Sequence, residues 1–384
     1  MTALAGRTER FATDLVCSRS GARGALDEPQ FLSPAGAPWL VEYDLAPELG
    51  ERWRRELPSR EWTLWRYREL LPIADFDGRV SLGEGGTPLL PLAGFVAPGV
   101  RLMVKEEGGN PTGSFKARGL SLAVNRAREL GAPGVQLTSA GNAAVALSAY
   151  AAAASLPCRV ALPDDTPEIV FRRCREHGSK IVHGPGTLVE VAAELGAFDD
   201  GYWNLSTLRE PYRIEGKKTM GFELWEQLGG RLPDWIVYPT GGGTGLIGML
   251  KAFDELEAMG LVDGRRPRMV AVQMSGCAPI VRAFEDGAKS AEAWREPRTE
   301  VWGLRVPQAL GDFLILDGLY RTDGRAVAIE EELLGEITAR AARETGLLFG
   351  PEGAAALAAT ERVPEIRPGE VVVVFQTGHP QNYG

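Results

Sequence analysis

Residues Asn110 to Gly119 read NPTGSFKARG. Asn-Pro is a strong turn signal, and a Gly-Ser-Phe turn follows before Lys116. The stretch after it, ARGLSLAVNRAREL, has helical periodicity and good helix formers. Lys116 therefore stands at a loop-to-helix junction, where a side chain can point into a cleft rather than into solvent. From Arg101 onward, short apolar runs alternate with helical patterns. RLMVKEE, GVQLTS, CRVALP, KIVHG, DWIVYPT, RMVAVQM and EVVVVFQTG read as buried strands. Residues 116–130, 142–154, 220–228, 244–257 and 330–344 read as helices. Near-continuous apolar strands alternating with helices imply an α/β fold, a parallel sheet covered on both faces.

The 384 residues suggest two or three domains, or one catalytic unit carrying an inserted lobe. Hydrophobic residues make up 44% and charged residues 24%, ordinary for a soluble globular chain able to bury a core. The net charge of −9 argues against nucleic acid or an anionic membrane as partner, since both call for basic patches. It leaves room for an anionic small molecule in a locally basic pocket. The cysteines, Cys17, Cys158, Cys174 and Cys277, form no CxxC pair, which fits isolated thiols in a reducing compartment. No apolar run approaches the ~20 residues of a membrane helix. The opening MTALAGRTERFATDL has no apolar core of signal-peptide type, so the cytoplasm is expected.

Two further segments carry chemistry. Gly241-Gly242-Gly243-Thr244-Gly245 follows a buried strand and precedes a helix. Glycines let backbone N–H groups converge on an anion, and the helix start adds a favourable dipole. The run matches neither GxGxxG nor GxxxxGK[ST], so no nucleotide fingerprint is met. Thr138-Ser139-Ala140-Gly141-Asn142 likewise links a strand to a helix, whose first N–H groups suit a carboxylate; an ordinary N-cap is the plain alternative. The segment EPYRIEGKKT groups Arg213, Lys217 and Lys218 near Ser206 and Thr207. Arg suits bidentate contact with phosphate, while Lys218 reads as part of a solvated face. The histidines, His177, His183 and His379, lack metalloprotease spacing, and no GxSxG elbow is present.

Together with GEGGTPLL (83–90), VKEEGGNPTG (104–113), TSAGNAAVALSAYAAAA (138–154), STLREPYRIEGKKTMGFELWEQLG (206–229), YPTGGGTGLIGMLKAFDELE (238–257), PEGAAALAA (351–359) and QTGH (376–379), the lysine segment resembles the threonine synthase branch of pyridoxal-phosphate (PLP) enzymes. The resemblance runs from about Ser81 onward. It implies the fold type II, tryptophan synthase β-subunit-like architecture: two parallel-sheet lobes covered by helices on both faces, with PLP in the cleft between them. The implied large PLP-binding domain takes 51–129 and 210–384, and a small inserted domain 130–209.

By this resemblance Lys116 is the Schiff-base lysine. Gly241 to Gly245 take the PLP phosphate, Asn142 hydrogen-bonds the ring hydroxyl, and Thr377 partners the ring nitrogen. Thr138, Ser139, Ala140 and Gly141 hold the substrate carboxylate. Arg213, Ser206 and Thr207 form the pocket for the leaving phosphate, with Lys105 a further candidate. The implied reaction is conversion of O-phospho-L-homoserine and water to L-threonine and phosphate by a homodimer. Elimination or β-replacement on serine, threonine or O-phosphoserine is the alternative within the fold. A catalytically silent PLP-fold protein is the second, disfavoured because every cofactor contact is present. The tail QTGHPQNYG departs from close relatives beyond the TG. Residues 1–50 correspond to a zinc-ribbon-like knob in this branch. Here only Cys17 remains where a tetrahedral site needs four ligands, with Ser20 at the CxxC partner position. We expect a metal-free knob held by packing. The aromatic stripe over Glu51–Leu71 reads as helical core or subunit interface.

Overall fold

The computed structural model describes residues 10–186 and 188–383. Its strands are β1 (Ala12–Cys17), β2 (Arg23–Ala25), β3 (Trp39–Tyr43), β4 (Leu89–Pro91), β5 (Arg101–Glu106), β6 (Val135–Thr138) and β7 (Cys158–Pro163). These are followed by β8 (Lys180–Gly184), β9 (Trp203–Asn204), β10 (Trp235–Pro239), β11 (Arg268–Met274), β12 (Arg325–Ile329) and β13 (Val371–Gln376). The helices that matter for the site are α1 (Pro47–Glu56), α2 (Lys116–Glu129), α3 (Asn142–Ala153), α4 (Glu168–Glu176), α5 (Leu188–Leu195), α6 (Tyr212–Gln227) and α7 (Thr244–Ala258).

The chain divides into two units. The first takes residues through Gly86, Lys116–Thr219 and Ala258–Leu261; the second takes Thr87–Phe115, Met220–Glu257 and Val262 onward. The first unit holds an antiparallel sheet in the order β2-β1-β3 and a parallel sheet in the order β8-β7-β6-β9. Helix α3 is buried nearly all round, which its alanine-rich sequence permits by keeping side chains small. Leu15, Trp39 and Val41 of the N-terminal sheet share one core with Leu120, Val124, Leu147 and Tyr150 of α2 and α3. The segment expected as a knob is thus packed into this unit.

The second unit holds a six-stranded sheet in the order β12-β11-β10-β13-β5-β4, parallel except for β4. The interior strand β10 is buried at every position, and β13 at all but its first. That explains their unbroken apolar sequences WIVYP and VVVVF: both faces of the sheet are covered.

Three expectations need correction. The helix expected over Glu51–Leu71 ends at Glu56, because Pro58 cannot continue it; 3-10 turns over Leu57–Ser59 and Leu64–Leu70 follow. Trp53, Trp65 and Tyr67 there are buried, whereas Trp62 is exposed. The helix expected from Met220 begins at Tyr212 instead, so Arg213, Lys217 and Lys218 are helical. Segments 51–86 and 116–129, assigned from sequence to the large domain, group with 130–209, because α2 lends Leu120, Ala123, Val124 and Ala127 to the first unit's core. Among the described residues no helix is long and apolar enough to cross a membrane.

Candidate active site

The loop that delivers Lys116 is fixed from both sides within the second unit. Asn110 donates to the Glu107 carbonyl and carboxylate, each at 2.9 Å, and Thr87 Oγ1 donates to the same carboxylate at 2.6 Å. On the other side the backbone N–H of His379 donates to the Gly113 carbonyl (2.8 Å), and that of Phe115 to the Thr377 carbonyl (3.0 Å). Asn382 Nδ2 donates to the carbonyls of Thr112 (3.1 Å) and Gly113 (2.9 Å). Thr112 has φ +64°, the left-handed region that a non-glycine residue enters only when its surroundings enforce it. The divergent tail therefore holds the lysine loop in shape.

Lys105 lies beneath this loop and is not available to a substrate. Its Nζ donates to Glu223 Oε2 (2.7 Å), the Thr87 carbonyl (2.7 Å) and Gln227 Oε1 (2.9 Å), and both members of the ion pair are fully buried. Three protons meet three acceptors, so the sequence assignment of Lys105 to a phosphate is replaced by a structural role.

In the first unit Lys116 opens α2 and is half-buried. Thr138 ends β6, and Ser139, Ala140 and Gly141 lead into α3, which Asn142 opens. Gly141 is the cap residue and has no side chain to offer, so the ordinary N-cap reading is not realised. Ser139 Oγ accepts from the Gly141 N–H at 3.3 Å, and Thr138 Oγ1 is buried without a partner. Beside β6 in the sheet runs β9, so the Leu205–Leu208 turn that follows it emerges next to Thr138. There the Thr138 N–H donates to Ser206 Oγ at 3.4 Å, and Thr207 follows in the same turn.

That turn leads into α6 and to Arg213, which is only 2% exposed. Its Nη1 donates to the Leu205 carbonyl at 2.7 Å, while Nε and Nη2 have no partner. Leaving buried guanidinium donors unmade is costly, and the chemistry of the vacant donors asks for an anion. Glu210 accepts the N–H groups of Tyr212 (2.6 Å) and Arg213 (3.1 Å) at the start of the helix. Burial pushes its carboxyl up to about 7 against the pull of Arg213. Helix α6 can approach α2 closely because Gly119 lacks a side chain; a Cβ there would lie 2.8 Å from the Arg213 carbonyl and 3.0 Å from Lys217 Cε. Lys217 is fully buried, and burial with the charges of Arg213 and Lys116 pushes its ammonium well below the ordinary range. Lys218, read as solvated, is buried too: it pairs with Glu215 at 2.6 Å and lies 3.7 Å from the centre of the Tyr43 ring.

The glycine turn of the second unit runs from β10 into α7. Gly243 has φ +74°, and a Cβ there would strike Ile315, so no other residue fits. Gly241 and Gly245 are equally closed to a Cβ, by the Gly303 carbonyl and the Tyr238 hydroxyl. The result is a bare backbone turn at the start of a helix, the donor set a phosphate needs. Thr377 directly follows the neighbouring β13 and is 4% exposed, and Thr240 directly follows β10. Glu106 ends β5 on the far side of β13, where burial pushes its carboxyl up to about 7.

Sequence reasoning missed Glu106, Glu210 and Lys217 as perturbed groups. For Lys217 a signal existed, since its i, i+4 spacing from Arg213 puts both on one helix face.

Residues 80–378 match the family described as pyridoxal-phosphate dependent enzyme. The chain is 32% identical over 372 residues to threonine synthase of Methanocaldococcus jannaschii, covering 94% of this chain and 91% of that one. It is 32% identical over 337 residues to threonine synthase of Methanosarcina acetivorans, covering 86% and 81%. Among solved structures, maize serine racemase superposes with a TM-score of 0.65 at 20% identity, covering 76% of this chain and 87% of that one. This chain belongs to the pyridoxal-phosphate dependent enzymes, among the relatives of threonine synthase.

Proposed function

We propose that this enzyme converts O-phospho-L-homoserine and water to L-threonine and phosphate. The observation that carries the reading is the buried Arg213 guanidinium with two unmade donors, next to the turn that bears Ser206 and Thr207. An enzyme acting on serine or threonine has no phosphate to satisfy them.

The cofactor would be held by Lys116, by the Gly241–Gly245 turn at its phosphate, by Asn142 at its ring hydroxyl and by Thr377 at its ring nitrogen. When bound, PLP supplies an electron sink for carbanions at the substrate α and β carbons. Thr138, Ser139, Ala140 and Gly141 present the start of α3 to the substrate carboxylate. The Lys116 amine moves protons at the α and β carbons. Arg213 with Ser206 and Thr207 orients the phosphate that departs from the γ carbon, after which water adds at the β carbon. A hydroxyl at Thr377, rather than a carboxylate, leaves the pyridine nitrogen without a permanent counter-charge. We place the enzyme in the cytoplasm as a homodimer acting on a small metabolite, in keeping with the acidic net charge and the habit of the family.

Arg213→Ala tests the reading. A charged hydrogen bond in a desolvated site contributes roughly 1.5–3 kcal/mol, so kcat/KM on O-phosphohomoserine should fall about one to two orders of magnitude. Turnover of serine should change far less. Equal losses on both substrates would make Arg213 structural and favour β-elimination. Lys116→Ala should abolish the yellow colour and the turnover together.

A further inference from the structure

Lys217 has no role in the chemistry assigned so far, yet its setting is unusual. It sits four residues after Arg213 on the same face of α6 and is fully buried. Its Cε abuts Gly119, one turn along α2 from Lys116. Among the charged groups acting on it are Lys116 from α2, Arg213 from its own helix and Glu210 from the turn before that helix. Once Lys116 is committed to the cofactor, Arg213 remains a buried cation on the same helix face, and Glu210 is a weak counter-charge, because burial pushes its carboxyl up to about 7.

Excess positive charge in a dry site is unfavourable. An arginine cannot relieve it, because its guanidinium does not deprotonate in proteins; a buried lysine can. A dianion at the vacant Arg213 donors reverses the local potential and makes the ammonium form favourable again.

We propose that Lys217 couples anion binding to proton uptake: it takes one proton from solvent when a phosphate dianion settles on Arg213, and surrenders it when phosphate forms. This rests on the reading of Arg213 as the phosphate ligand. The balance closes. Breaking the Cγ–O bond leaves the electron pair on the departing oxygen and the phosphate one proton short of hydrogen phosphate. The proton stored on Lys217 makes up the difference and returns the side chain to the neutral amine.

Sulfate is the probe, since it stays a dianion throughout the neutral and alkaline range. The PLP-loaded protein is titrated calorimetrically in buffers of different ionisation enthalpy, so that the cofactor already fills its own phosphate site. Wild type should take up as much as one proton per sulfate at alkaline pH, with Kd rising by up to tenfold per pH unit. Lys217→Gln should bind sulfate more weakly, with no proton uptake and a flat pH profile. Lys217→Arg, which keeps the charge, should bind within a few-fold of wild type and also take up none. Glu210→Gln should leave the uptake in place. Uptake that persists in Lys217→Gln or Lys217→Arg, or vanishes only in Glu210→Gln, overturns the proposal. Sulfate binding that depends on Arg213 without any uptake in wild type overturns it as well, while sparing the phosphate site. Sulfate affinity unchanged in Arg213→Ala overturns both.

Discussion

Removing the charge of Lys105 tests whether it supports the loop or the substrate. Its Nζ lies 2.7 Å from Glu223 Oε2, and both side chains are 0% exposed. Lys105→Met keeps most of the stem volume but strands the Glu223 carboxylate. The Thr87 carbonyl and Gln227 Oε1 lose the same donor. Breaking one side of a buried pair costs about 3–5 kcal/mol. Domains are stable by about 5–15 kcal/mol, so the loss is a large share. For a unit of about 190 residues, each kcal/mol moves the melting midpoint by about 2–4 °C, which puts the fall at roughly 6–20 °C. Adding Glu223→Leu should recover most of it, because replacing both charges by apolar groups is close to neutral. Thermal unfolding followed by circular dichroism on the cofactor-loaded protein reads the effect, and steady-state kinetics below the midpoint should give KM within about twofold of wild type. A midpoint within 2 °C of wild type, combined with a tenfold rise in KM, would refute this reasoning and restore Lys105 to the substrate.

Glu106 carries a pH signature: its folded-state value of about 7 exceeds the ordinary 4.5, so between those values the native state binds the extra proton and stability falls as pH rises. Glu106→Gln should remove that fall, amounting to about 3 kcal/mol at pH 8, and superposable stability–pH curves for variant and wild type would contradict it. Gly119→Ala sets a methyl against the Arg213 carbonyl and Lys217, and should cost about 1–3 kcal/mol in denaturant unfolding; an unchanged midpoint would mean that α2 and α6 yield freely. The N-terminal sheet should bind no zinc, since Cys17 Sγ meets Ser33 Oγ at 3.0 Å and the Ser20 N–H at 3.4 Å where further thiolates would be needed. Stoichiometric zinc in elemental analysis, lost on deleting residues 1–45, would disprove it.

What could be read in the sequence was what local chemistry dictates. The turn before Lys116 and the run at Gly241–Gly245 announce themselves through residues that few other conformations tolerate. β7, β8 and β11 carry the apolar runs of buried parallel strands and begin and end where those runs do. Partnership over long separations was hidden. Nothing near Lys105 reveals a carboxylate 118 residues away that has already claimed it. The charges of RIEGKKT suggest a wet surface, which is why α6 was placed eight residues late. In the fold each charge is buried, and Lys218 is matched by Glu215 one turn back. The domain boundaries differ for a similar reason, because α2 follows directly on Phe115 of the second unit yet lends its side chains to the core of the first.

The order of strands in the six-stranded sheet sets a timetable for synthesis. β13 comes last along the chain, yet it lies between β10 and β5. A growing polypeptide therefore carries two unpaired edges, at β5 and at β10, until Val371–Gln376 has been made. At ~5–20 residues per second the interval after β5 lasts roughly a quarter of a minute to a minute, a long exposure for edges that invite wrong pairing. Nearly all of the first unit has been translated by Thr219 and can consolidate while the rest is still being made. The same late segment supplies Thr377, His379 and Asn382, which shape the loop before Lys116. The loop before Lys116 consequently takes its final shape only after residue 382 has been made, some 270 residues after the loop itself.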